Sequence, residues 1–129
     1  MSKAVRFYSR SGNTKALADA IASGAGVTAV SVDDSLSGIN EPVDTLFIGG
    51  GLYAYGIDKK LKNYINTLDS TKVKKAAVFS TSWLSKHALD IIKDALKARG
   101  IEVVEETCYA KNMPGVAELK AAGEFGAKY

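Results

Sequence analysis

Residues that build secreted scaffolds, metal centres and membrane anchors are scarce in this chain. Its 129 residues include one cysteine, Cys108, one histidine, His87, one tryptophan, Trp83, and two prolines. A lone cysteine cannot close an internal disulfide, which agrees with a reducing compartment. One histidine and one cysteine leave no cluster with metal-ligand spacing. No apolar run approaches the length that spans a bilayer. Arg6 and Arg10 interrupt the start of the chain, so no signal-peptide apolar region forms there and the expected location is cytoplasmic. Charge of one sign is also missing. The net charge is +3, with lysines spread along the chain and no basic arm, so neither nucleic acid nor a membrane is an expected partner. The lysine-bearing glycine loop of nucleoside triphosphatases is absent, and so is the G-x-G-x-x-G of dinucleotide sites.

What is present reads as an ordinary globular chain, 47% hydrophobic and 24% charged, long enough for one domain over residues 1–129. Strand and helix patterns alternate throughout. Short β-branched or continuous apolar runs predict strands over residues 4–8, 28–32, 45–49, 76–79 and 101–109. Leu17, Ala20, Ile21 and Gly24 carry helical spacing after the first strand, and Gly24 or Gly26 can end that helix. Leu61, Tyr64, Ile65 and Leu68 mark an amphipathic helix. Ser85 is the expected N-cap of a helix reaching Arg99, with Gly100 as its stop. Pro114 can open a last helix, although Gly115, Gly123 and Gly126 lower its propensity. Such alternation predicts an α/β fold with a parallel sheet covered on both faces, and ligands then bind outside the carboxyl ends of the strands.

Three predicted loops leave strand ends with unusual chemistry. Ser9-Arg10-Ser11-Gly12-Asn13-Thr14 joins a strand to a helix start. Helix N-termini carry free N–H groups and partial positive charge, so this hydroxyl- and amide-rich turn is either an anion seat or a plain capped turn. Gly49-Gly50-Gly51-Leu52-Tyr53-Ala54-Tyr55-Gly56 lets a backbone come close to a ligand and places two tyrosines at a strand exit. Ser80-Thr81-Ser82-Trp83 has a tryptophan that either stacks on a flat ligand or covers the following helix. His87 has no nucleophile or acid arranged with it, and Cys108 reads as a small buried hydrophobe. Asp33 and Asp34 do not make a phosphoacceptor pocket, since that needs an aspartate where the third strand ends in Gly49 and Gly50.

With all three loops in place, the chain resembles the flavodoxin family, in particular its compact single-domain members. The run Ser9 to Thr14 matches the family's phosphate-loop pattern of alternating hydroxyls, glycine, a variable residue and threonine. The resemblance implies a flavodoxin-like three-layer sandwich with a five-stranded parallel sheet of order 2-1-3-4-5, and FMN at its carboxyl edge. It implies that Ser9, Arg10, Ser11, Gly12, Asn13 and Thr14 surround the FMN phosphate. Tyr53, Ala54, Tyr55 and Gly56, with Ser80, Thr81, Ser82 and Trp83, would flank the isoalloxazine, and Gly51 and Leu52 are expected to bind the cofactor with them. Arg10 is expected to turn outward, and a carbonyl near Gly56 or Gly51 is expected to meet the flavin N5. The implied function is electron transfer between redox partner proteins, a reductase and an acceptor, by a monomer or weak dimer. The alternative is a small FMN-dependent NAD(P)H/quinone-type oxidoreductase. One departure matters: many flavodoxins are strongly acidic, whereas here Lys59, Lys60 and Lys62 follow the second loop. A less negative second redox couple and a different partner surface are the expected consequences.

Overall fold

The apolar runs form strands, and the amphipathic stretches form helices that cross between them. The computed structural model describes residues 2–53, 56–82 and 85–129. In chain order it runs β1 (Lys3–Tyr8), α1 (Asn13–Ala25), β2 (Ala29–Ser31), β3 (Val43–Gly51), α2 (Lys59–Asn66), β4 (Val73–Thr81), α3 (His87–Ala98), β5 (Glu102–Ala110) and α4 (Val116–Lys128). Every strand pair is parallel, and the sheet order is β2-β1-β3-β4-β5. This is the α/β, 2-1-3-4-5 architecture that the family resemblance implies. From β1 the chain steps outward to β2, then returns to the other side of β1 as β3. The carboxyl ends of β1 and β3 therefore flank the point where strand order reverses, which is where such sheets take ligands.

Side chains alternate across the two central strands. Leu46, Ile48, Ala76 and Val78 pack with Leu61, Ile65, Ile92 and Leu96 of α2 and α3. Phe47, Ala77 and Phe79 pack with Leu17, Ile21 and Phe125 of α1 and α4 on the opposite face. Each of the larger side chains among them, valine, leucine, isoleucine or phenylalanine, contributes roughly 1.5–3 kcal/mol of transfer free energy. The same alternation continues to the strand ends. Gly51 and Thr81 follow Phe47 and Phe79 onto the α1 face, while Gly50 and Ser80 follow Ile48 and Val78 onto the other.

β3 and β4 both run longer than the sequence pattern predicts, at nine residues each. Gly49, Gly50 and Gly51 remain in the sheet, so the first two do not form an open ligand loop. A Cβ on Gly49 would sit 2.1 Å from the Phe79 carbonyl oxygen, and one on Gly50 would sit 2.6 Å from Leu61 Cδ2. These two glycines make room for core neighbours. α3 begins at His87, two residues after the expected cap, yet the Ser85 hydroxyl still accepts from the His87 N–H at 3.2 Å.

The last helix forms over thirteen residues despite its glycines. They are contact points rather than breakers. A Cβ on Gly24 of α1 would come within 1.9 Å of the Gly123 carbonyl oxygen, and one on Gly126 within 2.1 Å of the Ile21 carbonyl oxygen. The two helices cross backbone to backbone, so their propensity loss is offset by close packing. At the other end, Glu118 Oε1 accepts from the Gly115 N–H at 2.8 Å and fixes the start of α4. Gly126→Ala is therefore expected to destabilise the protein by about 1–3 kcal/mol through overpacking, read as a lower urea midpoint, even though alanine is the better helix former.

Candidate functional site

The phosphate-loop candidate leads straight into a helix that lacks a side-chain cap. Gly12 occupies the cap position of α1 with φ +93°, a conformation that favours glycine, and no side chain caps the helix there. No acid lies in the first turn. The Gly12 N–H donates instead to Ser9 Oγ at 2.9 Å, which folds the turn back on itself. An uncapped N-terminus of a thirteen-residue helix, with no acid in its first turn, suits an anion.

Strand parity decides which residues meet this turn. Thr81, on the α1 face of β4, is hydrogen-bonded through Oγ1 to Thr14 Oγ1 at 2.6 Å, and both are buried. One hydroxyl proton serves that bond, so the other remains to donate elsewhere. Ser80, on the other face, donates to the Gly50 carbonyl at 2.7 Å and is fully buried. It ties β4 to β3 and does not line the cavity. The cavity itself encloses about 330 Å³ and is lined by Ser11, Asn13, Thr14, Gly51, Leu52, Tyr53, Thr81, Ser82 and Asn112. None of these carries a formal charge. That volume lies within the usual range for small-molecule sites, roughly 300–1,000 Å³.

A second hollow of about 440 Å³ adjoins it, lined by Arg10, Tyr53, Gly56, Ile57, Asp58, Lys59 and Lys62. Tyr53 is the wall common to both. Arg10 belongs to the outer hollow alone, where its guanidinium carbon lies 3.8 Å from the centre of the Tyr53 ring. Its Nε and Nη2 donate to Asp58 Oδ2 at 2.9 and 2.6 Å. The other oxygen, Asp58 Oδ1, accepts from the Lys60 N–H at 2.8 Å and caps α2. One carboxylate thus links the phosphate-loop candidate to the helix after the tyrosine loop. Burial pushes the Asp58 carboxyl up, but the Lys60 N–H and Arg10 together outweigh it and hold the group below its ordinary value. Burial raises the Tyr53 phenol against the pull of Arg10. Burial also pushes the Cys108 thiol up to about 11, so it stays an unreactive thiol near neutrality.

Of the residues singled out in the sequence, Ser11, Asn13, Thr14, Gly51, Leu52, Tyr53, Thr81 and Ser82 meet around the inner cavity. Ser9 and Gly12 shape its entrance turn. Arg10 turns outward as expected, but onto Tyr53 and Asp58 rather than into solvent alone. Gly56, at φ +106°, exchanges two backbone hydrogen bonds with Tyr53, so turning its carbonyl over would break the 2.7 Å bond from the Tyr53 N–H. Ala54, Tyr55 and Trp83 lie outside the described residues, and the stacking expected of Tyr55 and Trp83 lies there with them. Sequence reasoning missed Asn112, which lines the cavity with φ +58°, and Asp58. Both had signals: an asparagine in a polar turn after the last strand, and an aspartate directly before an amphipathic helix.

A family model described as "Flavodoxin domain" matches residues 4–110, most of the chain. The chain belongs to the flavodoxin family. Among solved structures it is similar to a flavodoxin from the domain Archaea, with TM-score 0.86 and 22% identity over 99% of this chain and 95% of that one. It is similar to oxidised Flavodoxin 1 from Bacillus cereus, with TM-score 0.79 and 27% identity over 98% of this chain and 96% of that one. The Flv1 flavodiiron core of Synechocystis sp. PCC6803 shares the fold, with TM-score 0.79 and 22% identity over 98% of this chain but 34% of that larger one. A comparison with curated proteins gave no match. As a flavodoxin-family member the chain is an FMN-binding electron-transfer flavoprotein. The donor set fits that group: neutral hydroxyls and amides beside an uncapped helix start suit a phosphate, and a tyrosine-walled cavity suits a flat ring. No helix among the described residues is long and apolar enough to cross a membrane.

Asp58→Ala removes both a helix cap and the partner of Arg10. At neutral pH it is expected to lower stability by about 1–2 kcal/mol. A depressed carboxyl contributes stability above its unfolded pKa and loses it as pH falls through the folded one. The gap between wild type and variant should therefore close as the pH drops below about 4, in urea titrations at several pH values.

Proposed function

We propose that this protein carries one or two electrons at a time between a reductase and an acceptor protein, with FMN seated in the inner cavity. The observation that best supports this is the uncharged cavity where α1 begins, lined by hydroxyl and amide side chains together with Tyr53. Bound FMN supplies the redox chemistry, and the protein's part is to bind it, orient it and keep water from it. In this reading Ser11, Asn13 and Thr14 hold the phosphate together with the free N–H groups of α1. Ser9 and Gly12 set the shape of that loop. Leu52 and Tyr53 cover the ring, helped by Ala54, Tyr55 and Trp83, while Gly51, Thr81, Ser82 and Asn112 approach its polar edges. Residues 1–129 act as one domain, as a monomer or weak dimer, and a reducing cytoplasm suits the lone cysteine.

Thr14→Val keeps the side-chain shape and removes one hydroxyl. It should weaken FMN binding by roughly 1–3 kcal/mol, since an ionised acceptor loses a donor. Titration of the apoprotein with FMN, followed by flavin fluorescence, reads this directly. Unchanged affinity in both Thr14→Val and Ser11→Ala would contradict the phosphate assignment. NADPH oxidation with a quinone by the pure protein alone would favour the oxidoreductase instead of the carrier.

A further inference from the structure

We propose that the outer hollow is a docking site for an acidic patch on the redox partner, seated one tyrosine away from the inner cavity. The proposal rests on reading the inner cavity as the flavin site.

Charge is the first support. The hollow is lined by three cations, Arg10, Lys59 and Lys62, and one acid, Asp58. Asp58 is engaged by Arg10 and by the Lys60 N–H, so that pair is internally compensated. Lys60 turns aside, with Nζ 3.9 Å from Asp33 Oδ2 and 5.4 Å from the centre of the Tyr8 ring. The uncompensated cations are Lys59 and Lys62. Both are exposed, and neither makes an ion pair among the described residues.

Composition is the second. Tyr53 and Ile57, both half-buried, add apolar surface to the hollow beside exposed Lys59 and Lys62, the mixture of apolar and charged groups that a protein interface uses. Asp and Glu side chains satisfy such lysines with their carboxylates. The third support is position. Tyr53 walls both spaces, so a partner placed here lies against the residue that covers the inner cavity. The loop carrying Asn112, which lines the inner cavity, presents exposed Lys111 and Met113, the latter 58% exposed. Cation and apolar surface therefore border the inner cavity there as well. Steering by such a patch raises association rates roughly 10- to 1,000-fold and fades with salt.

The test uses the FMN-loaded protein, reduced by two electrons, and two small outer-sphere oxidants of opposite charge. With hexacyanoferrate(III), the reduced flavin gives two electrons to two ions, which become hexacyanoferrate(II), and returns to water as many protons as it took up on reduction. Hexaammineruthenium(III) accepts electrons in the same way but is a cation. Stopped-flow rates are compared for wild type, Lys59→Glu/Lys62→Glu, and Lys74→Glu/Lys97→Glu. The last pair is exposed at the amino edge of the sheet and changes net charge equally. The wild type should react faster with the anion at low salt and slow as salt rises. Reversal at Lys59 and Lys62 should cut that rate about tenfold and speed the cation, whereas the control pair should change either rate by no more than about twofold. Equal effects from both pairs, or none from either, would overturn the proposal. Saturable binding of inorganic phosphate that is lost in Lys59→Glu/Lys62→Glu would make the hollow a small-anion seat and overturn it too. Failure of the wild type to hold FMN shows in its absorption spectrum before any oxidant is added; it would sink the flavin reading and this proposal with it.

Discussion

The sheet is covered by helices on both faces, and this constraint governs where chemistry can sit. With Phe47 and Phe79 packed against α1 and α4, and Ile48 and Val78 against α2 and α3, the central strands have no solvent face to spare. Polar side chains are pushed to the strand ends. There the two-residue alternation still applies, and it sorts Thr81 to the α1 side and Ser80 to the other. The Thr14–Thr81 hydroxyl pair is the outcome: the turn before α1 and the end of β4 are joined by a buried bond at the edge of the cavity. Core packing and site geometry thus follow from one periodicity.

The two spaces at the carboxyl edge differ in electrostatic character, and that difference fits two tasks. The inner cavity has no ionised lining and meets a helix N-terminus, so an anion enters without repulsion or competing cations. The outer hollow holds the charges. Asp58 joins Arg10 to the start of α2, with the guanidinium against the tyrosine that separates the two spaces. The proposed cofactor site and the proposed partner site are thereby adjacent but chemically distinct.

Much of this was legible in the sequence. The alternation of apolar runs and amphipathic stretches predicted the parallel sheet, and eight of the residues singled out at three strand exits meet around one cavity. What escaped did so for physical reasons. Helix propensity undervalued α4, because Gly123 and Gly126 act through the approach of another backbone, a long-range contact that no local scale contains. Gly49 and Gly50 looked like a ligand loop because their real neighbours, Phe79 and Leu61, are distant in sequence. Ser80, Thr81 and Ser82 looked equivalent until strand register fixed which face each occupies. The Arg10–Asp58 bond spans forty-eight positions and has no periodicity to betray it.

The central claim is that the uncharged cavity at the start of α1 holds FMN. The most direct measurement is the visible absorption spectrum of the purified protein, before and after denaturation. The account predicts a two-band flavin spectrum, with FMN released in an amount equal to the protein chains when the fold is lost. A colourless protein that takes up no added FMN would contradict it.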